Sequence, residues 1–277
     1  MSDVGDAILF ACGGAACHVV GEHRPEGMPV VQLNPETPRE FREEVFAGIA
    51  RDLARGAVDD VEFMLEDMRV VFVYTVLGGD MGAVLQAEVA DRAHRHGCKV
   101  VTVAGIPLEV GTERRERAIA ALDGTVVSSD RVLVLDGYNV AQLVDDNVRR
   151  IDSIFRASAH VMESMLDNLA QLVEGPFFST FPEKVYTFSH VSDMEPARAV
   201  ARAMEATAFP TDPAYGKMIV TVSAAFGPAQ LEQIFETVVE STGIMPDIVK
   251  RDDREDTKVL VFLPVRLGPS SPRASRS

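Results

Sequence analysis

The sequence lacks any run of roughly twenty apolar residues, which excludes a bilayer-spanning helix of ordinary length. Its first residues, Met1 to Asp6, are acidic where a secretory leader carries positive charge, so the expected compartment is the cytoplasm. Cysteine is scarce. Cys12, Cys17 and Cys98 are odd in number and spaced for neither a disulfide framework nor a zinc knuckle, which points to packed thiols in a reducing compartment. Cys12 and Cys17 flank a glycine turn beside His18, but zinc requires further ligands that this neighbourhood does not offer. Lysine is sparse as well, and 27 basic residues stand against 42 acidic ones for a net charge of -15. That balance argues against nucleic acid and an anionic membrane as main partners, as the missing apolar run argues against direct membrane insertion, and it suits a salty cytoplasm in which ions screen self-repulsion.

What is present is enough apolar material for a folded chain: 277 residues, 47% of them hydrophobic, suffice for one large or two modest cores. The first two thirds alternate short apolar runs with helical periodicity, the pattern of a parallel sheet covered on both faces. Strands are expected at Ala7 to Ala11, Val30 to Leu33, Val70 to Val76, Lys99 to Ala104 and Arg131 to Leu135. Helices are expected from Pro38 to about Arg55, Val58 to Met68, Val84 to Ala93 and Glu113 to Leu122.

Between Val140 and Val173 no proline or glycine occurs, and apolar residues recur at helical spacing until Gly175-Pro176, which predicts one long helix. Beyond it, strands at Lys184 to Val191, Lys217 to Ala224, Ile244 to Lys250 and Lys258 to Arg266 alternate with helices at Pro196 to Ala206 and Pro228 to Ser241. These suit a smaller mixed sheet.

Two stretches have the layout of a phosphate cradle, a strand running through small residues into a helix. They are Cys12-Gly13-Gly14-Ala15-Ala16 and Gly78-Gly79-Asp80-Met81-Gly82. Small residues let backbone N–H groups and a helix N-terminus approach an anion closely.

Taken in order, these segments resemble the tubulin/FtsZ superfamily. Gly13-Gly14-Ala15-Ala16-Cys17-His18 resembles the first phosphate loop of archaeal FtsZ proteins, and Val70 to Gly82 resembles the strand and signature loop GGGTGTG. Pro107-Leu108-Glu109-Val110-Gly111, followed by Arg114 and Arg115, resembles the PFxFEG loop and its basic helix start. Leu135-Asp136-Gly137-Tyr138-Asn139 is similar to the tubulin loop VEPYN, whose acidic residue faces the ribose.

The resemblance implies an α/β, tubulin/FtsZ-like fold. A parallel-sheet nucleotide-binding domain would span 1–139, a central helix 140–175, a smaller mixed-sheet C-terminal domain 176–267 and a disordered tail 268–277. It implies GTP or GDP as ligand, held by Gly13, Gly14, Ala15, Ala16, His18, Gly78, Gly79, Asp80, Met81, Gly82, Pro107, Glu109, Arg115, Asp136, Tyr138 and Phe155. Self-assembly, or binding to an FtsZ/CetZ-like relative, is the implied partnership, in a cytoskeletal or assembly-regulating role.

The departures from the family pattern are as informative as the matches. Asp80, Met81 and Ala83-Val84 replace residues of the signature loop. A carboxylate about 4 Å from a phosphate charge repels it by roughly 1 to 4 kcal/mol, unless Asp80 holds Mg²⁺ or caps the helix instead. Guanine-reading positions of the family fall on Cys17 or His18 and on Ala159-His160. The family's NxDxxD loop has no counterpart between Gly175 and Val185 except Glu183, the weak catalytic candidate, so hydrolysis is expected to be weak or lost. Phe177, Phe178 and Phe181 occupy that stretch as a partner site or as filling for a missing helix. Two alternatives stay open: an active GTPase using Glu183 or Asp193, and an enzyme of a small-molecule nucleotide.

Overall fold

The computed structural model describes residues 6–22, 24–25, 27–36, 43–107, 112–137, 184–205, 216–251 and 255–265. In chain order these form β1 (Ala7–Cys12), α1 (Gly14–Glu22), β2 (Val30–Leu33), α2 (Glu43–Asp59), β3 (Val70–Val76), α3 (Gly82–Arg95), β4 (Lys99–Ile106), α4 (Glu113–Ser128) and β5 (Arg131–Asp136). The later elements are β6 (Val185–Asp193), α5 (Pro196–Glu205), β7 (Lys217–Ser223), α6 (Pro228–Thr242), β8 (Pro246–Arg251) and β9 (Thr257–Pro264).

All nine strands hydrogen-bond into one sheet, in the order β2-β1-β3-β4-β5-β6-β9-β7-β8. Strands β1 to β5 are mutually parallel, and β6 joins β5 in parallel through Val132↔Val185, Leu133↔Tyr186 and Val134↔Thr187. Beyond that seam β9 lies antiparallel to both β6 and β7, and β8 pairs β7 in parallel. The expected mixed sheet is therefore the edgewise continuation of the parallel one.

Continuous apolar strands follow from burial on both faces. Leu9, Phe72, Tyr74, Val103 and Leu135 face the layer containing Ala16, Val19 and Val20 of α1. Ile8, Phe10, Val71 and Val73 point the other way, onto Ala50, Ala54 and Val58 of α2 and Leu85, Val89 and Ala93 of α3. In the second half, α5 and α6 cover one face through Ala199, Val200, Ala203, Ile234 and Val238. A buried amide adds a polar seam: Gln86 Nε2 lies 3.1 Å from Thr102 Oγ1, Ser128 Oγ and Ser129 Oγ, tying α3 to β4 and the end of α4.

One expected helix is not there. Between Val58 and Met68 the chain leaves α2 at Asp59 and makes only a 3-10 turn over Glu62–Leu65, with Phe63 67% exposed and Asp67 at φ 67°. The chain turns where its acids meet a cation of α3. Arg92 of α3 pairs with Asp59 at 2.6 Å and also with Glu62, pinning both carboxylates to one guanidinium rather than along a helix face. The expected long helix over 140–173 lies outside the described residues, as do Glu109, Tyr138, Phe155, Ala159, His160, Phe177, Phe178, Phe181 and Glu183.

Candidate functional site

The C-terminal ends of β1, β3, β4 and β5 lie side by side, since each is paired in parallel register with its neighbour. The rim above them is where an open parallel sheet gathers its loops. Gly13 leaves β1 at φ +86°, donates its N–H to Leu33 O at 2.8 Å, and hands the chain to α1. The first intrahelical bond there is Cys17 N–H to Gly13 O at 3.0 Å, so the N–H groups of Gly14, Ala15 and Ala16 precede the helical ladder. In α3 the first bond is Leu85 N–H to Met81 O at 2.9 Å, which likewise leaves Gly82, Ala83 and Val84 ahead of it.

These two helix starts touch. A Cβ on Gly13 would sit 3.2 Å from Gly82 Cα and 3.3 Å from Gly82 N. A Cβ on Gly82 would lie 2.6 Å from Thr75 Oγ1 and 3.0 Å from Val76 O. Only glycine at both positions lets the backbones meet, and the result is two positive helix ends converging on one rim. Gly78, at φ +80°, is pressed under the first turn of α4, where a Cβ would fall 2.1 Å from Arg114 O. Gly79 by contrast has open space around it.

Side chains divide between core and rim. Met81 is buried in the cluster with Val73 and Leu85, so what it offers the rim is backbone. Asp80 does not cap α3: the cap position is Met81, without a side-chain bond, and Asp80 is 62% exposed with its carboxylate 3.9 Å from Arg117. The capping expectation fails because the helix starts one residue further on and α4 offers a cation instead. Cys17 donates its thiol to Ala11 O at 3.3 Å, and burial raises its pKa above the ordinary thiol value. His18 lies on the exposed side of α1, 3.8 Å from Glu22.

At the β5 end, Asp136 is 5% exposed and meets Arg115 in a bidentate pair at 2.9 and 2.7 Å. Arg115 also donates to Pro107 O at 2.7 Å. The Asp136 hydrogen bond holds the guanidinium in its charged form more firmly than usual, against the opposing effect of burial. Asp193, the alternative catalytic acid, is engaged elsewhere: it accepts from Arg198 at 2.8 and 2.9 Å, from Arg202 at 3.3 Å and from Glu195 N–H at 3.0 Å. Those bonds, Arg198 first, hold its carboxyl at about 2.

Three rim residues were not anticipated as site residues. Asn34, past the end of β2, puts its amide within 3.5 Å of where a Gly14 Cβ would be. Its signal was a polar residue at a strand end beside the first glycine loop. Arg117 lies one helical step from Arg114, a spacing that places it over the second loop. Thr75 is fully buried with an unpartnered Oγ1, and nothing in the sequence marks it. Among the described residues, no group of three or more His, Cys, Asp or Glu is placed to hold a metal, and no helix is long and apolar enough to cross a membrane.

No protein-family profile matches the chain. Over 143 residues it is 22% identical to the cell division protein FtsZ of Aquifex aeolicus (strain VF5), a match covering 49% of this chain and 39% of that protein. The chain thus matches well under half the length of that curated relative. Its fold is similar to that of an empty FtsZ dimer of M. jannaschii, with a TM-score of 0.71 at 16% identity over 93% of this chain and 87% of the other. It is similar also to CetZ2 of Haloferax volcanii, solved as a GTPγS-bound protofilament, with a TM-score of 0.69 at 16% identity over 93% and 92% of the two chains.

Proposed function

We propose that this chain, a divergent member of the tubulin/FtsZ superfamily by its fold, binds a guanine nucleotide at the rim above β1 and β3. On this reading it assembles into filaments or regulates those of a relative, with little or no GTP hydrolysis. The observation that carries the nucleotide reading is the Gly13–Gly82 contact, which sets two helix starts against each other where a Cβ on either glycine would intrude. The GTPγS-bound protofilament of the CetZ2 relative supports both the ligand and the mode of assembly. Head-to-tail stacking is a heterologous contact, and such contacts extend into filaments when they do not close.

Weak hydrolysis is supported by sequence and rim together. The stretch from Gly175 to Val185 carries no pair of acids to orient water, and Asp193 is committed to Arg198 and Arg202. Asp80 puts a carboxylate into the second loop, balanced by Arg117. The test is mass spectrometry of nucleotide released from denatured protein, combined with sedimentation and phosphate release with and without GTP. Released GDP or GTP and pelleting with little phosphate supports the proposal. Brisk, concentration-dependent phosphate release would establish an active GTPase, and released NAD or flavin would replace both readings.

A further inference from the structure

Thr75, the next-to-last residue of β3, is fully buried, and its hydroxyl has no hydrogen-bond partner. Such a group is rare in a folded core, because burial strips the hydroxyl of water and supplies nothing in exchange. Valine has nearly the same shape, already fills Val70, Val71, Val73 and Val76 of this strand, and would sit here without that loss.

The hydroxyl is aimed at the start of α3. The Cβ direction of Gly82 leads to a point 2.6 Å from Thr75 Oγ1, 3.0 Å from Val76 O and 3.5 Å from Cys12 O, so three oxygens crowd one side of this glycine. Close by is Gly13, whose own Cβ site lies 3.2 Å from Gly82 Cα. Gly82 is thus a wedge between the two glycine loops, and Thr75 supplies the side chain that meets it. A threonine hydroxyl has one proton to donate, and each of the two carbonyls carries lone pairs that can accept it. With no side chain on Gly82, a small shift of the first turn of α3 is enough to complete such a bond. That turn is also where an anion would pull, since the N–H groups of Gly82, Ala83 and Val84 precede the helical ladder.

Resting on the nucleotide reading above, we infer that Thr75 is a positioning residue of that site. A phosphate that accepts from the first N–H groups of α3 draws the turn outward, and the hydroxyl then donates to Val76 O or Cys12 O. The bond gained on binding fixes the turn in its bound arrangement. Affinity therefore depends on a side chain that touches no ligand atom.

The test pairs thermal melting of the free protein with calorimetric titration by GDP, on the full chain and on T75V, T75S and T75A. Replacing an unpaired buried hydroxyl by a methyl should raise the melting temperature of T75V by about 2 °C or more. The same change should weaken GDP binding about fivefold, the worth of one hydrogen bond. T75S keeps the hydroxyl and should bind GDP within about twofold of the unmodified chain. T75A opens a small cavity and melts lower, yet it should lose affinity as T75V does, so that affinity follows the hydroxyl and not stability. A role in packing alone would move stability and leave affinity where it was. A loss below about threefold in T75V or T75A, or a loss in T75S as large as theirs, overturns the inference alone. So does a T75V that melts lower than the unmodified chain or does not fold, because the hydroxyl would then be bonded already in the free protein. Failure of the unmodified chain to bind GDP overturns the nucleotide reading, and the inference falls with it.

Discussion

At the residue scale the second glycine loop holds three glycines in three different surroundings, and the differences are large enough to rank. Gly78 combines φ +80° with a Cβ site 2.1 Å from Arg114 O, a backbone atom that cannot swing aside. Gly78→Ala is expected to destabilise by about 3 kcal/mol or more, from left-handed strain and overlap together. Gly82 is not left-handed, but its Cβ site lies 2.6 Å from Thr75 Oγ1 and 3.0 Å from Val76 O, so Gly82→Ala is expected to cost about 1 to 3 kcal/mol. Gly79 meets nothing within 4 Å, and Gly79→Ala should change stability by about 0.5 kcal/mol at most. Urea midpoints of the three variants check the order. An equal loss at all three positions would mean that the loop is not packed as described.

At the element scale, the strands buried on both faces were the most legible part of the chain. Val70–Val76 is apolar but for the Thr75 hydroxyl, β-branched or aromatic throughout, and too short for a helix of ordinary length, which is the pattern of a central strand. The failure at Val58 to Met68 has a specific origin. Periodicity counts apolar residues, whereas the break at Asp59 coincides with ion pairs from Arg92, which is distant in sequence and reaches Asp59, Glu62 and Glu88 from α3. The Arg115–Asp136 pair was hidden for the same reason: each residue could be picked out singly, but their pairing is set by how β4, α4 and β5 stack. The small residues of both loops were legible because close backbone approach has a simple requirement.

The start of α5 supplies an element-scale prediction of its own. Asp193 is lowered from 3.8 to about 2 by Arg198 first, with the Glu195 N–H next. A carboxyl depressed by folding binds its proton more weakly in the native state than in the unfolded chain. Its contribution is therefore complete above pH 3.8 and is lost as pH falls through about 2. Asp193→Asn should lower the melting temperature near neutral pH, and it should flatten the part of the pH–stability curve between those two values. Melting curves of both proteins across that range decide it: parallel curves would show that the group contributes nothing there.

At the scale of the whole molecule, the decisive feature is the seam between β5 and β6. Parallel pairing at Val132↔Val185, Leu133↔Tyr186 and Val134↔Thr187 carries the ladder from one half into the other. The buried cluster on one face does the same, since Leu133 and Leu135 belong with Tyr186, Phe188, Leu260 and Phe262. Domains held only by a polar surface melt separately, but halves that share a core lose packing together. The chain is accordingly expected to unfold in a single calorimetric transition. Tyr186, fully buried at the seam, offers the perturbation: Tyr186→Ala should remove about 3 to 5 kcal/mol and shift the whole transition downward without splitting it. If scanning calorimetry instead showed one half melting at its original temperature while the other moved, the seam would be a contact between two independent domains rather than part of one core.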